Sequence, residues 1–201
     1  MKRMLDVVAA VAGMILLSPV FLTVAIAVRM AMGRPVLFRQ SRTGYKEHPF
    51  TLYKFRTMTV AVDSHGESLP DQERLTRTGQ FLRHTSLDEL PQLWNVLRGD
   101  MSLVGPRPLL LQYLPRYTPQ QRRRHEVLPG LTGWAQVMGR NSLSWDQRLK
   151  LDTWYVDHRS VWLDFRILAM TLRSLILSRG ISHNGHVTMP EFFGSSTGHD
   201  L

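Results

Sequence analysis

Residues 7–28 read VVAAVAGMILLSPVFLTVAIAV, and no charged side chain lies between Asp6 and Arg29. As one helix rising ~1.5 Å per residue the run would reach about 30 Å, the thickness of a bilayer's hydrocarbon core. A secretory signal shares the basic start, Lys2 and Arg3, and Ala25-Ile26-Ala27 mimics a cleavage site. The apolar run is longer than the roughly 7–15 residues of such a leader. A straight spanning helix meets two objections. Basic residues flank both ends, Lys2 and Arg3 before and Arg29, Arg34, Arg39 and Arg42 after, so the positive-inside rule is met only if both ends face the cytoplasm. Ser18-Pro19 also sits near the middle, where proline removes a helix hydrogen bond and serine re-satisfies the freed carbonyls. Each half then reaches only mid-bilayer. The expectation is a re-entrant helix-break-helix over residues 1–33, with 34–201 as the cytoplasmic part of a single domain, 1–201.

Around this segment the chain is basic. Lys and Arg number 25 against 16 acidic residues, a formal charge of +9, which draws polyanions: nucleic acid, anionic lipid or phosphorylated substrates. There is no cysteine, which excludes disulfides and thiolate chemistry. Asp63–Asp71 and the tail from Gly194 read as loose polar segments.

Downstream, Val36–Arg42 and Phe50–Arg56 are strand-like and Gly44-Tyr45-Lys46-Glu47-His48-Pro49 has turn composition, so a β-hairpin is expected. Alternation along a strand puts Lys54 and Arg56 on one face. They read either as a phosphate clamp or as a solvated basic edge.

In Thr85-Ser86-Leu87-Asp88-Glu89-Leu90-Pro91-Gln92, Ser86 and Glu89 match a capping box, although Pro91 also suits a helix start. On either reading Asp88 and Glu89 sit at a helix amino terminus, whose dipole would keep both ionised. They read as caps, or as a nucleophile toward phosphorus with a base or Mg²⁺ ligand beside it. Gly105-Pro106-Arg107-Pro108 makes a stiff turn presenting one guanidinium, suited to phosphate. Arg122-Arg123-Arg124 reads as a solvated or headgroup-facing run. His84 and His125 lack zinc-site spacing, and P-loop and GxGxxG motifs are absent.

These residues resemble the bacterial sugar transferases, the small monotopic phosphoglycosyl transferases. The matches run along nearly the whole chain: Lys2-Arg3-x-x-Asp6, Ser18-Pro19, Lys54-Phe55-Arg56-Thr57-Met58, the Thr85–Gln92 stretch, Gly99–Pro108, and Pro129-Gly130-Leu131-Thr132-Gly133-Trp134-Ala135-Gln136-Val137. The resemblance implies that Asp88 attacks a UDP-sugar, releases UMP and carries a phosphosugar that undecaprenyl phosphate then takes. It implies Glu89 as base or metal partner, Mg²⁺ held by Asp88 and Glu89, and Lys54, Arg56, Arg83 and Arg107 around the phosphates. Gln136 and Arg140 are implied as nucleotide or sugar contacts, and Ser18 and Pro19 as the membrane-helix break. Met138 stands where the family commonly has Asn, which bears on the donor sugar. The tail Gly185–Phe192 looks like the branch that handles N-acetylated amino sugars.

The fold expected is α+β and mainly helical, a monotopic membrane protein with a short β-hairpin and interfacial amphipathic helices. Val161–Ser178 reads as one of these or as a core-packing helix. The expected setting is the cytoplasmic face of a bacterial inner membrane. Downstream glycosyltransferases and a second copy of the chain are admitted as partners. A nucleic-acid-binding protein would explain the charge but not residues 7–28. A scaffold without catalysis would explain the anchor but not acidic residues set among Lys54, Arg83 and Arg107.

Overall fold

The computed structural model describes residues 1–61, 67, 69–139, 142–177 and 191–194. Arg140, most of the expected loop at 63–71 and most of the tail lie outside them. The apolar run forms two helices, α1 (Lys2–Leu16) and α2 (Ser18–Met32). They are bent by 63°, and among the described residues no single helix is long and apolar enough to cross a membrane. Leu17 is the joint. Pro19 lies in the first turn of α2, where its missing N–H costs nothing, and the Ser18 hydroxyl donates to the Ile15 carbonyl at 2.8 Å.

The polar first turn of α1 is sewn to the rest of the molecule. Arg3 donates to the carbonyls of Val96 (2.5 Å) and Leu97 (2.8 Å). The buried Asp6 carboxylate accepts from Leu103 N at 3.1 Å. Lys2 reaches the Val104 carbonyl at 3.1 Å and Asp164 at 2.5 Å. The opposite sides of α1 and α2 leave Val8, Ile15, Leu16, Leu22, Ile26 and Met30 exposed, a larger apolar surface than soluble monomers usually leave bare.

The hairpin forms within a residue of the expected limits. Strand β1 (Leu37–Thr43) pairs antiparallel with β2 (Pro49–Phe55), in the register Leu37 opposite Phe55 and Thr43 opposite Pro49. Helical turn α3 (Asp71–Arg74) and helix α4 (Arg77–Thr85) follow, the latter capped by the Thr76 hydroxyl. Helix α5 (Gln92–Arg98) is held against the hairpin by Asn95, which is fully buried. Its amide accepts from Tyr53 N (3.1 Å) and donates to the Thr51 carbonyl (2.7 Å), as a neighbouring strand would.

A parallel pair, not expected from the sequence, joins β3 (Ser102–Val104) to β4 (Gly130–Thr132). It requires glycine: a Cβ on Gly105 would lie 2.3 Å from the Leu128 carbonyl, and one on Gly130 2.1 Å from Gly105 N. The helical turn α6 (Pro119–Arg122) lies between these strands in the sequence, and α7 (Trp134–Met138), α8 (Trp145–His158) and α9 (Val161–Leu177) follow. Val104, Trp134, Tyr155, Leu163 and Ile167 share one core cluster. One face of α9 therefore packs inward, while Trp162, Phe165, Arg166, Leu172 and Arg173 lie exposed. The core-packing reading describes its inward face.

Helix α4 rests directly on the chain after β2, because a Cβ on Gly79 would meet the Thr57 carbonyl at 1.8 Å. Gly79→Ala is expected to cost about 1–3 kcal/mol through overpacking, read as a lower midpoint in thermal denaturation.

Candidate active site

Ser86 ends α4 in the left-handed region (φ 58°), and Leu87–Glu89 forms a short 3₁₀ turn before Pro91 caps α5. The expected Ser86–Glu89 capping box does not form. Of the two helix starts the sequence allowed, the one at Pro91 is realised, and it leaves the carboxylates on the turn ahead of the helix. The Ser86 corner lets Asp88 turn inward, where it is 7% exposed, while Glu89 faces β2 and the Gly105–Pro108 turn.

Glu89 Oε1 accepts from Lys54 Nζ at 2.7 Å and from the Arg107 guanidinium at 2.6 Å. Lys54 Nζ also lies 3.9 Å from Asp88 Oδ2. Arg83 donates Nε to the Thr57 hydroxyl at 3.1 Å. Arg83, Glu89 and Arg107 line a cavity of about 460 Å³ together with Gln136, Arg148 and Asp152 on its polar side. Gly13, Leu17, Leu93, Leu168 and Leu175 form an apolar side that begins at the α1–α2 joint.

The two carboxylates do not behave as a pair of ionised caps. Burial would raise Glu89, but the Arg107 and Lys54 cations outweigh it and hold the group well below the usual carboxylate range. Burial pushes Asp88 up to about 6. The Glu89 charge adds to that, against the opposing Lys54, Arg107 and Arg83 cations. Cations and burial, rather than a helix dipole, set both groups. Their surroundings drive the adjacent carboxyls apart: Glu89 is a fixed anion paired with two cations, and Asp88 is a buried carboxyl held above its usual range. Burial lowers Arg83 and Asp88 partly restores it, while Glu89 raises Arg107.

Lys54, Arg83, Asp88, Glu89 and Arg107 therefore meet at one place, and Gln136 shares the cavity wall with Arg83, Glu89 and Arg107, its Oε1 buried without a hydrogen-bond partner. Arg56 does not join them through a hydrogen bond or ion pair to either carboxylate. It follows the end of β2, and its guanidinium is spent on the carbonyls of Met58 (2.8 Å) and Arg34 (3.2 Å). The Arg122–Arg124 run is not simply a solvated face either. Arg122 pairs with Glu47 and Arg123 with Asp157, while Arg124 is buried on Asp152. His125 is buried too, and burial with the neighbouring Arg124 pushes it down to about 3, so the ring is neutral. Sequence reasoning missed Arg148 and Asp152. Their signal was two charged residues one turn apart beside Leu149, Tyr155 and Val156, on the buried stripe of α8.

For Mg²⁺, no group of three or more His, Cys, Asp or Glu side chains among the described residues could hold a metal ion. Mg²⁺ is commonly bound through one or two carboxylates plus substrate phosphates rather than by an all-protein cage, and Asp88 with Glu89 fits that pattern.

The description "bacterial sugar transferase" is carried by a family model that matches residues 1–178. The chain belongs to the bacterial sugar transferase family. This sugar transferase is 54% identical to the uncharacterized sugar transferase EpsL of Bacillus subtilis (strain 168), over 97% of this chain and 96% of the relative. It is 42% identical to the UDP-glucose:undecaprenyl-phosphate glucose-1-phosphate transferase of Caulobacter vibrioides (strain ATCC 19089 / CIP 103742 / CB 15), covering 87% of this chain and 69% of that one. It is 39% identical to the UDP-N-acetylgalactosamine-undecaprenyl-phosphate N-acetylgalactosaminephosphotransferase of Aeromonas hydrophila, covering 89% and 44%. The chain thus spans almost all of EpsL but less than half of the Aeromonas protein.

A carboxyl raised to about 6 binds its proton more tightly folded than unfolded, where its value is 3.8. Its contribution to stability is present below about pH 4 and lost as pH rises through about 6. Asp88→Asn is therefore expected to raise stability at pH 7.5, on the order of 2 kcal/mol, with no such gain at pH 4, measured by denaturant titration at the two pH values. If the ionised form reacts, wild-type turnover falls as pH drops below about 6.

Proposed function

We propose that this chain is a phosphoglycosyl transferase that moves a phosphosugar from a UDP-sugar to undecaprenyl phosphate. The observation that carries the reading is Asp88: a buried, raised carboxyl beside a Glu89 whose charge is already satisfied by Lys54 and Arg107. The names of the Caulobacter and Aeromonas relatives supply the substrate classes.

In this reading the ionised Asp88 attacks the sugar-bearing β-phosphorus. A bond forms from its carboxylate oxygen to phosphorus, and the bridging P–O bond to the α-phosphate breaks. UMP leaves with that electron pair, and the phosphosugar stays on Asp88 as an acyl phosphate. A phosphate oxygen of undecaprenyl phosphate then attacks the same phosphorus and the carboxylate departs, giving the lipid-linked diphosphate sugar. Little covalent chemistry is asked of the protein beyond the nucleophile, so placement and charge neutralisation dominate. Lys54, Arg83 and Arg107 supply the cations around the transferred group, and Glu89 keeps Lys54 and Arg107 aimed. Asp88 and Glu89 would hold Mg²⁺ with the diphosphate, and the metal would neutralise phosphate charge. Gln136 Oε1 offers an unused acceptor to a donor-sugar or nucleotide N–H or O–H.

The donor is proposed as an N-acetylated amino sugar, supported by the resemblance of the tail 185–192 and by the name of the Aeromonas relative. The UDP-glucose relative marks the alternative. We place the chain on the cytoplasmic face of a bacterial inner membrane, with α1 and α2 as a re-entrant anchor, as the first membrane step of glycan assembly. The exposed apolar sides of α1 and α2 and basic residues at both ends of the pair support that placement.

Incubation with Mg²⁺, undecaprenyl phosphate and a panel of UDP-sugars should release UMP with one donor class. Asp88→Asn and Asp88→Ala should abolish release, and Glu89→Ala should lower it about a hundredfold or more. Chelation of Mg²⁺ should stop it. Full activity in an Asp88 variant would sink the covalent route. Because the chain has no cysteine, single cysteines inserted ahead of Lys2 and placed at Ser41 report topology. Both should be labelled from the same side of the membrane, and labelling from opposite sides would overturn the re-entrant anchor.

A further inference from the structure

Behind the carboxylates lies a buried ion pair that the proposed chemistry does not use. Arg124 is 2% exposed and Asp152 likewise 2%. Arg124 donates Nε (3.1 Å) and Nη2 (2.7 Å) to Asp152 Oδ2, and the same Nη2 donates to the backbone carbonyl of Arg107 at 2.7 Å. Asp152 stands one helical turn after Arg148 on α8, and both line the reaction cavity. The pair thus joins the turn that carries Arg107 to the helix that carries Arg148.

Aromatic faces support both ends. The Arg124 guanidinium lies 5.8 Å over Tyr117, and that of Arg148 lies 5.5 Å over Trp145. Phe192 sits beneath both, stacked on Tyr117 with centroids 5.5 Å apart and tilted against Trp145 at 5.2 Å. A buried ion pair is weak support for stability, since packed apolar residues of similar volume often serve the fold as well or better. What apolar residues do not supply is the hydrogen bond to the Arg107 carbonyl. Pro106 and Pro108 restrict the turn's bending, and Arg124 decides where the restricted turn sits relative to α8.

We infer that Arg124 and Asp152 are positioning residues that hold the Arg107 turn and Arg148 at a fixed separation for the diphosphate of the donor. This rests on the transferase reading of the same cavity. Placement errors of about 1 Å commonly cost on the order of a hundredfold in rate, so the pair acts on turnover rather than on folding.

The test is the double variant Arg124→Met with Asp152→Leu in the full chain, chosen because it removes the pair without stranding a buried charge. Expected are a thermal midpoint close to that of wild type and kcat for UMP release lowered at least about tenfold. UDP binding by calorimetry, which needs no turnover, should weaken about tenfold. Arg107→Lys should cost much less on this background than on wild type, because the two act through one group. Wild-type kcat and UDP affinity in the folded double variant, or full additivity with Arg107→Lys, would overturn the inference. If the double variant does not fold, Tyr117→Leu keeps the ion pair but removes the face under Arg124. It should then lower kcat and UDP affinity in the same direction, and unchanged values overturn the inference equally. A wild-type chain that neither binds UDP nor releases UMP sinks the transferase reading itself, whereas an active wild type matched by its variants sinks the positioning role alone.

Discussion

One oxygen atom organises the site. Glu89 Oε1 is shared by Lys54, from the hairpin, and Arg107, from the turn after β3. Without that anion, cations drawn from separate parts of the chain would face one another across a partly dry cavity. Burial first, and the Arg107 charge next, lower both Arg42 and Arg148 to about 10. Glu89 is thus the counter-charge that makes a cationic cradle compatible with a folded protein, and its neighbour Asp88 is spared that duty.

The surrounding fold can be read as the means of bringing those segments to Glu89. Asn95 locks α5, and with it the preceding 3₁₀ turn, onto the backbone of β2 at Tyr53 and Thr51. Lys54 follows directly. Gly105 and Gly130 let β3 and β4 approach closely enough for the Arg107 turn to leave the sheet at the right place. Each contact ends on main chain, directly between β3 and β4 and through the buried Asn95 amide at β2, so these attachments do not rest on adjustable surface side chains.

How much of this was legible in the sequence differs by element. Hydrophobicity and charge located the broken apolar segment, since an uncharged run with proline at its centre has few solutions. Period-2 composition located the hairpin, and motif resemblance brought together Lys54, Arg83, Asp88, Glu89 and Arg107. Local pattern failed where tertiary structure decided. Strand alternation offered Arg56 as a phosphate clamp beside Lys54, but its guanidinium is taken up by the carbonyls of Met58 and Arg34. The Ser86–Glu89 spacing suggested a cap, yet a left-handed Ser86 serves the corner that buries Asp88. The arginine run hid Arg124, because a buried guanidinium in a string of basic residues is visible only when its acid, 28 residues further on, is found opposite it.

The amino-terminal turn of α1 carries a separate implication. Lys2, Arg3 and Asp6 are bonded to Val104, Val96, Leu97 and Leu103: Leu103 and Val104 lie on β3, which ends three residues ahead of Arg107, and Val96 and Leu97 lie on α5. The apolar segment is therefore not an interchangeable tether. Grafting it onto another catalytic half, or replacing it with a foreign helix of equal hydrophobicity, would delete two attachments of the strand that leads to Arg107 and two of α5. A substitution among the first six residues therefore reaches β3 and α5 directly, some hundred positions away.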